Sequence, residues 1–173
     1  ENIQTTRSLP TVAPSVFEMI FQSLLATILF DLFFSVTHFI LHQVPLLYTY
    51  VHKMHHAHER GVTPDFTAEL HFLENIPLVL QANIALKVVG AHPLTRFFYI
   101  PCLIFALIDN HSGYDFPFNY DKLIPFGIVG GSKQHFLHHK KNNSHYQPFF
   151  DYLDPVYCYL QSLHWSFLST NKT

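Results

Sequence analysis

The chain has 173 residues, of which 49% are hydrophobic, 16% aromatic and only 13% charged, with a formal net charge of −2. One domain is expected at this length. A charged fraction about half the ~25% of ordinary soluble domains and an excess of Phe and Tyr fit a chain that meets lipid, and the slight acidity argues against a nucleic-acid partner, which would want a basic face. Cys102 and Cys158, with no CxxC, argue against a disulfide framework, an iron–sulfur cluster or a zinc-thiolate site.

Residues 1–15, with Pro10 and Pro14, read as a polar arm. The chain starts at Glu1 without a signal-peptide pattern, so a piece of a longer protein is expected. Val16 to Leu41 is nearly continuous apolar sequence, about long enough to cross a bilayer. Glu18 and Asp31 interrupt it, and intramembrane carboxylates are costly and usually face a bundle interior. Asp31 precedes His38 by seven residues on the same helix face. It is read either as the acceptor for the far nitrogen of a ligating histidine or as an Asp near a membrane edge. Pro45 is expected to end this helix, and Tyr48 to Glu59 to form a polar helix. Residues 60–68 read as loop. Ile76–Val89 and Leu94–Ile108 are apolar stretches of about 15 residues, short for a full span. The turn-like Gly90-Ala91-His92-Pro93 lies between them. They suggest a hairpin of membrane helices, or helices buried at the interface. Asp109 to Pro117 reads as loop, Leu123 to Gly131 as an apolar connector, Lys140 to Ser144 as exposed, and 146–168 as an aromatic, weakly amphipathic segment. The chain therefore divides into the arm, a membrane domain over 16–168, and a tail at 169–173.

Three histidine clusters stand out: His38-Phe-Ile-Leu-His42, His52-Lys-Met-His55-His56 and His135-Phe-Leu-His138-His139. On a helix, positions i, i+3 and i+4 share a face, so each cluster is expected to aim its imidazoles at a common point. With histidine at 14 of 173 residues, a random chain would contain HxxHH only about 0.1 times, and this chain contains it twice. The bland alternative is a set of hydrogen-bonded histidines on helix faces. Neutral imidazole suits iron, zinc, copper and nickel. Eight histidines exceed one tetrahedral zinc and suit a two-metal centre. No box contains the general-base Glu of a hydrolytic HExxH site, and no ExxH pair of a carboxylate di-iron bundle occurs. The residues favour oxidative chemistry, in which the metal reacts with O₂ while the protein orients an apolar substrate.

In this order the boxes resemble the membrane-bound fatty acid hydroxylase/sterol desaturase superfamily. His38 to Tyr159 is most similar to its cholesterol 25-hydroxylase branch, through Val-Pro-Leu-Leu-Tyr (44–48), His-Lys-Met-His-His (52–56), Ala-His-Pro-Leu-Thr (91–95), His-Ser-Gly-Tyr-Asp-Phe-Pro (111–117) and Ile-Pro-Phe-Gly (124–127). The HSGYDFP string is shared with sterol 4-methyl oxidases. The resemblance implies an all-α fold, with membrane helices carrying a cytosol-facing, histidine-rich helical cap around a di-metal centre. It implies a multi-pass protein of the endoplasmic reticulum membrane. The cofactor would be two Fe ions, with O₂ and NAD(P)H-derived electrons as co-substrates, delivered by a donor such as cytochrome b5 and its reductase. The implied function is sterol hydroxylation. Sterol 4-methyl oxidation, desaturation and fatty-acyl hydroxylation are alternatives within the superfamily, and a non-catalytic metal- or sterol-binding membrane protein is the alternative of another class. The implied ligands are His38, His42, His52, His55, His56, His135, His138 and His139, with His111 as a further ligand and His71 as a weaker one.

The third box departs from the family's usual HHDxHH, because Gln134 and Phe136 stand where relatives carry a histidine and an acid. Gln134 is a weak candidate for support behind the ligands. His145 replaces a usual Asn and reads as a surface residue or an extra ligand. The stretch after Asp154 departs from the usual Gly-Thr ending. His58, His92 and His164 lie outside the boxes and read as structural or exposed. Lys53, Lys133, Lys140 and Lys141 flank the boxes and favour the cytosolic side. Asn142 and Asn171 begin formal glycosylation sequons that the cytosolic reading leaves unmodified.

Overall fold

The computed structural model describes residues 10–57 and 62–170. Among them the fold is helical, with one isolated antiparallel bridge, Val129–Phe150. The outer ends of the arm and tail and His58 lie outside the described residues, as does Asn171.

Helix α1 spans Val16–Gln43. Its start is a capping box: the Ser15 side chain accepts from Glu18 N, and Glu18 accepts from Ser15 N. With 28 residues it is long and apolar enough to cross a membrane, reaching about 42 Å at 1.5 Å per residue. It is apolar on all sides, which suits a helix surrounded by protein or lipid rather than one facing water. Ala26, Phe30, Asp31, Ser35, His38 and Leu41 are buried, while Phe17, Ile20, Phe21 and Leu24 are exposed.

Pro45 does not simply stop the chain. Val44 is extended, and Pro45 opens the short helix α2, Pro45–Leu47, where its missing N–H costs nothing. A π-helical turn, Tyr48–His52, leads into α3, Lys53–His56. The expected single helix from Tyr48 to Glu59 is thus two short pieces, a π-helical turn and α3, and its last residues are not described. Within the expected loop, Pro64–Ala68 forms a 3-10 helix.

Helices α4, Phe72–Val88, and α5, Pro93–Asn110, match the two apolar stretches and extend them. Pro77 and Pro101 lie inside them, and each removes one helical N–H. Both helices pack against α1. Glu74 and Pro77, near the start of α4, lie beside His38 and Leu41 at the end of α1. The α4–α5 turn lies at the opposite end, where Gln22 Oε1 accepts from His92 N (3.1 Å) and Thr95 Oγ1 (2.7 Å). Helix α5 then returns so that His111 reaches the histidines. Ala26, Ala82 and Ala85 are among the buried core, and such small residues let helix backbones approach closely.

The remaining elements cover the histidine end. They are α6 (Tyr120–Leu123), a 3-10 turn (Pro125–Gly127), α7 (Ser132–Lys141) and α8 (Asp154–Thr170). Helix α8 occupies most of the segment read as aromatic and weakly amphipathic.

Candidate metal centre

The sequence brings nine histidines together from α1, the 48–56 helical run, the end of α5 and α7. Their nitrogens form two groups: His38, His42, His52, His56 and His138 in one, and His55, His111, His135 and His139 in the other. Within each group the nitrogens lie within 4.8 Å of one another. This corrects the expectation that each box aims at a single point. In every box the i, i+4 pair stays together: His38 with His42, His52 with His56, and His135 with His139. The i+3 histidine of each HxxHH box crosses to the other group, namely His55 and His138. A helix advances 100° per residue, so i+3 and i+4 diverge enough to serve two centres. The π-helical turn carries His52, and such turns recur at functional sites.

Proton positions follow from the outer partners. His38 Nδ1 donates to Tyr146 O (2.9 Å) and His52 Nδ1 to Glu74 Oε1 (2.9 Å). His111 Nδ1 donates to Leu107 O (2.9 Å) and His138 Nδ1 to Ser144 O (2.7 Å). A neutral imidazole has one N–H, so the Nε2 atoms of these four carry lone pairs. His38 Nε2 and His52 Nε2 nevertheless stand 3.1 Å apart in a buried site. Two facing lone pairs repel unless a cation lies between them. The other close pairs include His52–His42 at 2.9 Å, His42–His138 at 3.1 Å, His135–His111 at 2.9 Å and His139–His135 at 3.0 Å. At a metal–imidazole bond of about 2.0–2.1 Å, neighbouring ligands at right angles stand about 3 Å apart. The donor set and its spacing therefore fit a pair of metal ions.

Burial holds several of these imidazoles neutral. It pushes His56, His135, His138 and His139 far below the usual histidine range, and the neighbouring imidazoles add to the effect. His111 is lowered to about 4 by burial, partly opposed by its bond to Leu107 O. Neutral imidazole is the ligating form.

Glu74 is the carboxylate behind the histidines. The sequence places it three residues after His71, but its bond to His52 was not anticipated. Asp31, read either as the acceptor for a ligating histidine or as an Asp near a membrane edge, bonds to no histidine among the described residues. It accepts from Gln147 Nε2 (2.5 Å), Phe149 N (2.8 Å) and Phe150 N (3.2 Å). It acts one step away, by pinning the segment whose Ser144 and Tyr146 carbonyls hold His138 and His38. His71 joins neither group; its Nδ1 caps α4 by accepting from Leu73 N at 3.2 Å. Gln134 accepts from Gly131 N at 3.1 Å and caps α7. His145 also stands apart, paired with Asp151 at 3.0 Å, and that bond raises its pKa. His92 caps α5.

Gly113 of the HSGYDFP string has φ +74°, and a Cβ there would meet Val62 O at 2.7 Å. Only glycine fits this sharp exit after His111. Under the histidines lies a small, mostly apolar pocket of about 30 Å³, whose lining includes Phe34, Leu78, Leu107 and Pro148, the polar Glu74 and Asn110, and His38, His55, His111 and His135.

The model of the fatty acid hydroxylase family matches residues 23–158. Cholesterol 25-hydroxylase of Mus musculus is 32% identical over 160 residues, covering 92% of this chain and 53% of its own. The Homo sapiens protein of that name is 33% identical over 148 residues, covering 86% and 54%. A Dictyostelium discoideum protein provisionally named methylsterol monooxygenase is 33% identical over 146 residues, covering 83% and 52%. The chain spans about half the length of these curated relatives. No solved structure matches it significantly. The three boxes, the HSGYDFP turn and the family match over 23–158 agree: the chain belongs to the fatty acid hydroxylase family.

Proposed function

We propose that the protein is an iron-dependent membrane oxygenase that hydroxylates a sterol. The observation that carries this reading is the pair of all-histidine groups, five and four nitrogens, set over an apolar pocket. Two irons bound there would supply O₂ activation and C–H oxidation. The nine named histidines would be their ligands. Glu74, Leu107 O, Ser144 O and Tyr146 O fix the ring orientations of His52, His111, His138 and His38. Phe34, Leu78, Leu107 and Pro148 exclude water and present an aliphatic C–H to the site. Overall, the substrate C–H and O₂, with two electrons and two protons, give the alcohol and water. The electrons would come from NAD(P)H through a donor such as cytochrome b5.

The placement would be in the endoplasmic reticulum membrane. Helix α1 would span it, α4 and α5 would form a membrane hairpin, and the histidine end would face the cytosol. The exposed apolar faces of α1, α4 and α5 support this placement. Methylsterol oxidation is the second reading, favoured by the Dictyostelium relative and the shared HSGYDFP string. The test is lipid mass spectrometry of expressing cells against a His138→Ala control, with iron measured on the purified protein. A new oxygenated sterol and two irons per chain are expected. Bound metal without any oxidised lipid would make it a binding protein instead.

A further inference from the structure

The pocket under the histidines, at about 30 Å³, is far smaller than the few hundred Å³ of ordinary ligand sites. A second cavity of about 370 Å³ lies farther along α5, between α1 and α5. The two are consecutive: Leu103 and Ala106 line the outer cavity, and Leu107 and Asn110 line the inner pocket. Tyr120 and Phe149 stand at the partition, where the Tyr120 hydroxyl donates to Asn110 Oδ1. Leu24 and Phe98, on the outer rim, are largely exposed on the apolar side of the molecule.

Among the described residues, none lining the outer cavity is charged. A carboxylate or phosphate headgroup would find no cation there. The cavity does hold hydroxyls. Ser23 Oγ donates to Met19 O (2.7 Å), and Thr27 Oγ1 donates to Ser23 O (2.9 Å). Tyr99 is different. It is 5% exposed, and its hydroxyl meets Thr27 Oγ1 only at 3.4 Å, beyond the ~2.5–3.0 Å of a good O–H···O bond. A buried hydroxyl held this loosely can still take a close partner.

Resting on the oxygenase reading above, we propose that the outer cavity binds the ring system of a neutral, monohydroxylated lipid, a sterol, with its hydroxyl on the Tyr99–Thr27 pair. Its side chain then points past Tyr120 and Phe149 into the inner pocket, which requires one of those rings to turn aside. Thr27 to His38 is about 16 Å of helical rise, and Tyr99 to His111 about 18 Å. That span is comparable to an extended sterol from ring hydroxyl to side-chain tip. Tyr99 and Thr27 are thus specificity-determining residues that place attack near the end of the side chain.

Cys102 lines this cavity, and Cys158 lies outside it on α8. The test follows modification of both thiols by a membrane-permeant alkylating reagent, using the protein in lipid nanodiscs and peptide mass spectrometry. Cholesterol should slow Cys102 alkylation but not Cys158 alkylation. Cholestane, which lacks the hydroxyl, should protect less well. In Tyr99→Phe/Thr27→Val the preference for cholesterol over cholestane should fall about three- to tenfold, the worth of one hydrogen bond. The variant should still be protected by cholestane, which shows that it is folded. Equal protection by cholesterol and cholestane in the parent protein, or an unchanged preference in the double variant, overturns the proposal. Sterol oxidation without Cys102 protection overturns this site and leaves the oxygenase reading standing. The expected protection without sterol oxidation supports the site and overturns that reading.

Discussion

At the scale of single residues, the site depends on which nitrogen of each imidazole carries the proton. Glu74 settles this for His52, whose side chain is fully buried. Glu74→Ala should leave His52 free to change tautomer and should cost about 10- to 100-fold in metal affinity, the usual cost of removing such a partner. Iron retained during titration with a chelator measures this, and unchanged retention would exclude the role. His71→Ala should retain iron normally, because His71 only caps α4. The buried imidazoles of His56, His111, His135, His138 and His139 also make stability depend on pH. Burial holds their folded-state pKa values below the unfolded value of about 6.5, so the unfolded chain binds more protons and stability rises with pH. His111, at about 4, contributes fully above about pH 6.5 and loses about 3 kcal/mol by pH 4. His145 has the opposite sign: its raised pKa stabilises below the unfolded value and fades as pH rises. It is one half-buried group against several buried ones. The metal-free protein should therefore unfold at a lower denaturant concentration at pH 5 than at pH 7.5; a flat profile would contradict the burial argument.

At the scale of elements, the backbone from Ser144 to Phe150 does what the boxes cannot do alone. It offers carbonyls to His138, His38 and, through Pro148, to Asn110. Asp31 holds that segment by three hydrogen bonds. Asp31→Ala would leave two amides and the Gln147 side chain unpaired in the interior, at about 1–3 kcal/mol each. Thermal stability and metal content should fall together, whereas a role at the histidines alone would move metal content only. Gly113→Ala should likewise destabilise, because the added methyl meets Val62 O. Much at this scale was legible in the sequence. Unbroken apolarity gave α1, α4 and α5 within a few residues, and the spacing of the boxes gave eight of the nine clustered histidines, with His111 following from its string. The rest was not local. The split of each HxxHH depends on how α7 and the 48–56 run face each other. The partner of Asp31 lies more than a hundred residues away, and the pairing of Glu74 with His52 exists only once α4 lies along α1. The segment holding α8 read only as aromatic and weakly amphipathic, because its aromatic residues form no clear stripe.

At the scale of the whole molecule, the geometry constrains topology. Helix α4 starts and α5 ends beside the histidines, while their turn contacts Gln22 near the far end of α1. If α1 crosses the bilayer, the segment from Phe72 to Asn110 dips in and returns on the histidine side. At about 26 Å each, α4 and α5 are slightly shorter than the ~30 Å hydrocarbon core, so the turn sits near the opposite interface. Exposed Lys53, Lys133, Lys140 and Lys141 surround the histidine end, and basic residues favour the cytosolic face. Asn142 lies in this surface as the left-handed cap that ends α7. Its sequon should therefore never meet the lumenal glycosylation machinery. In sealed microsomes, a membrane-impermeant amine reagent added outside should label Lys140 and Lys141, and Asn142 should carry no glycan. A glycan at Asn142, or lysine labelling only after the vesicles are opened, would place the metal centre in the lumen. The proposed cytosolic electron supply could not reach it there, and the donor would have to be sought on the other side of the membrane.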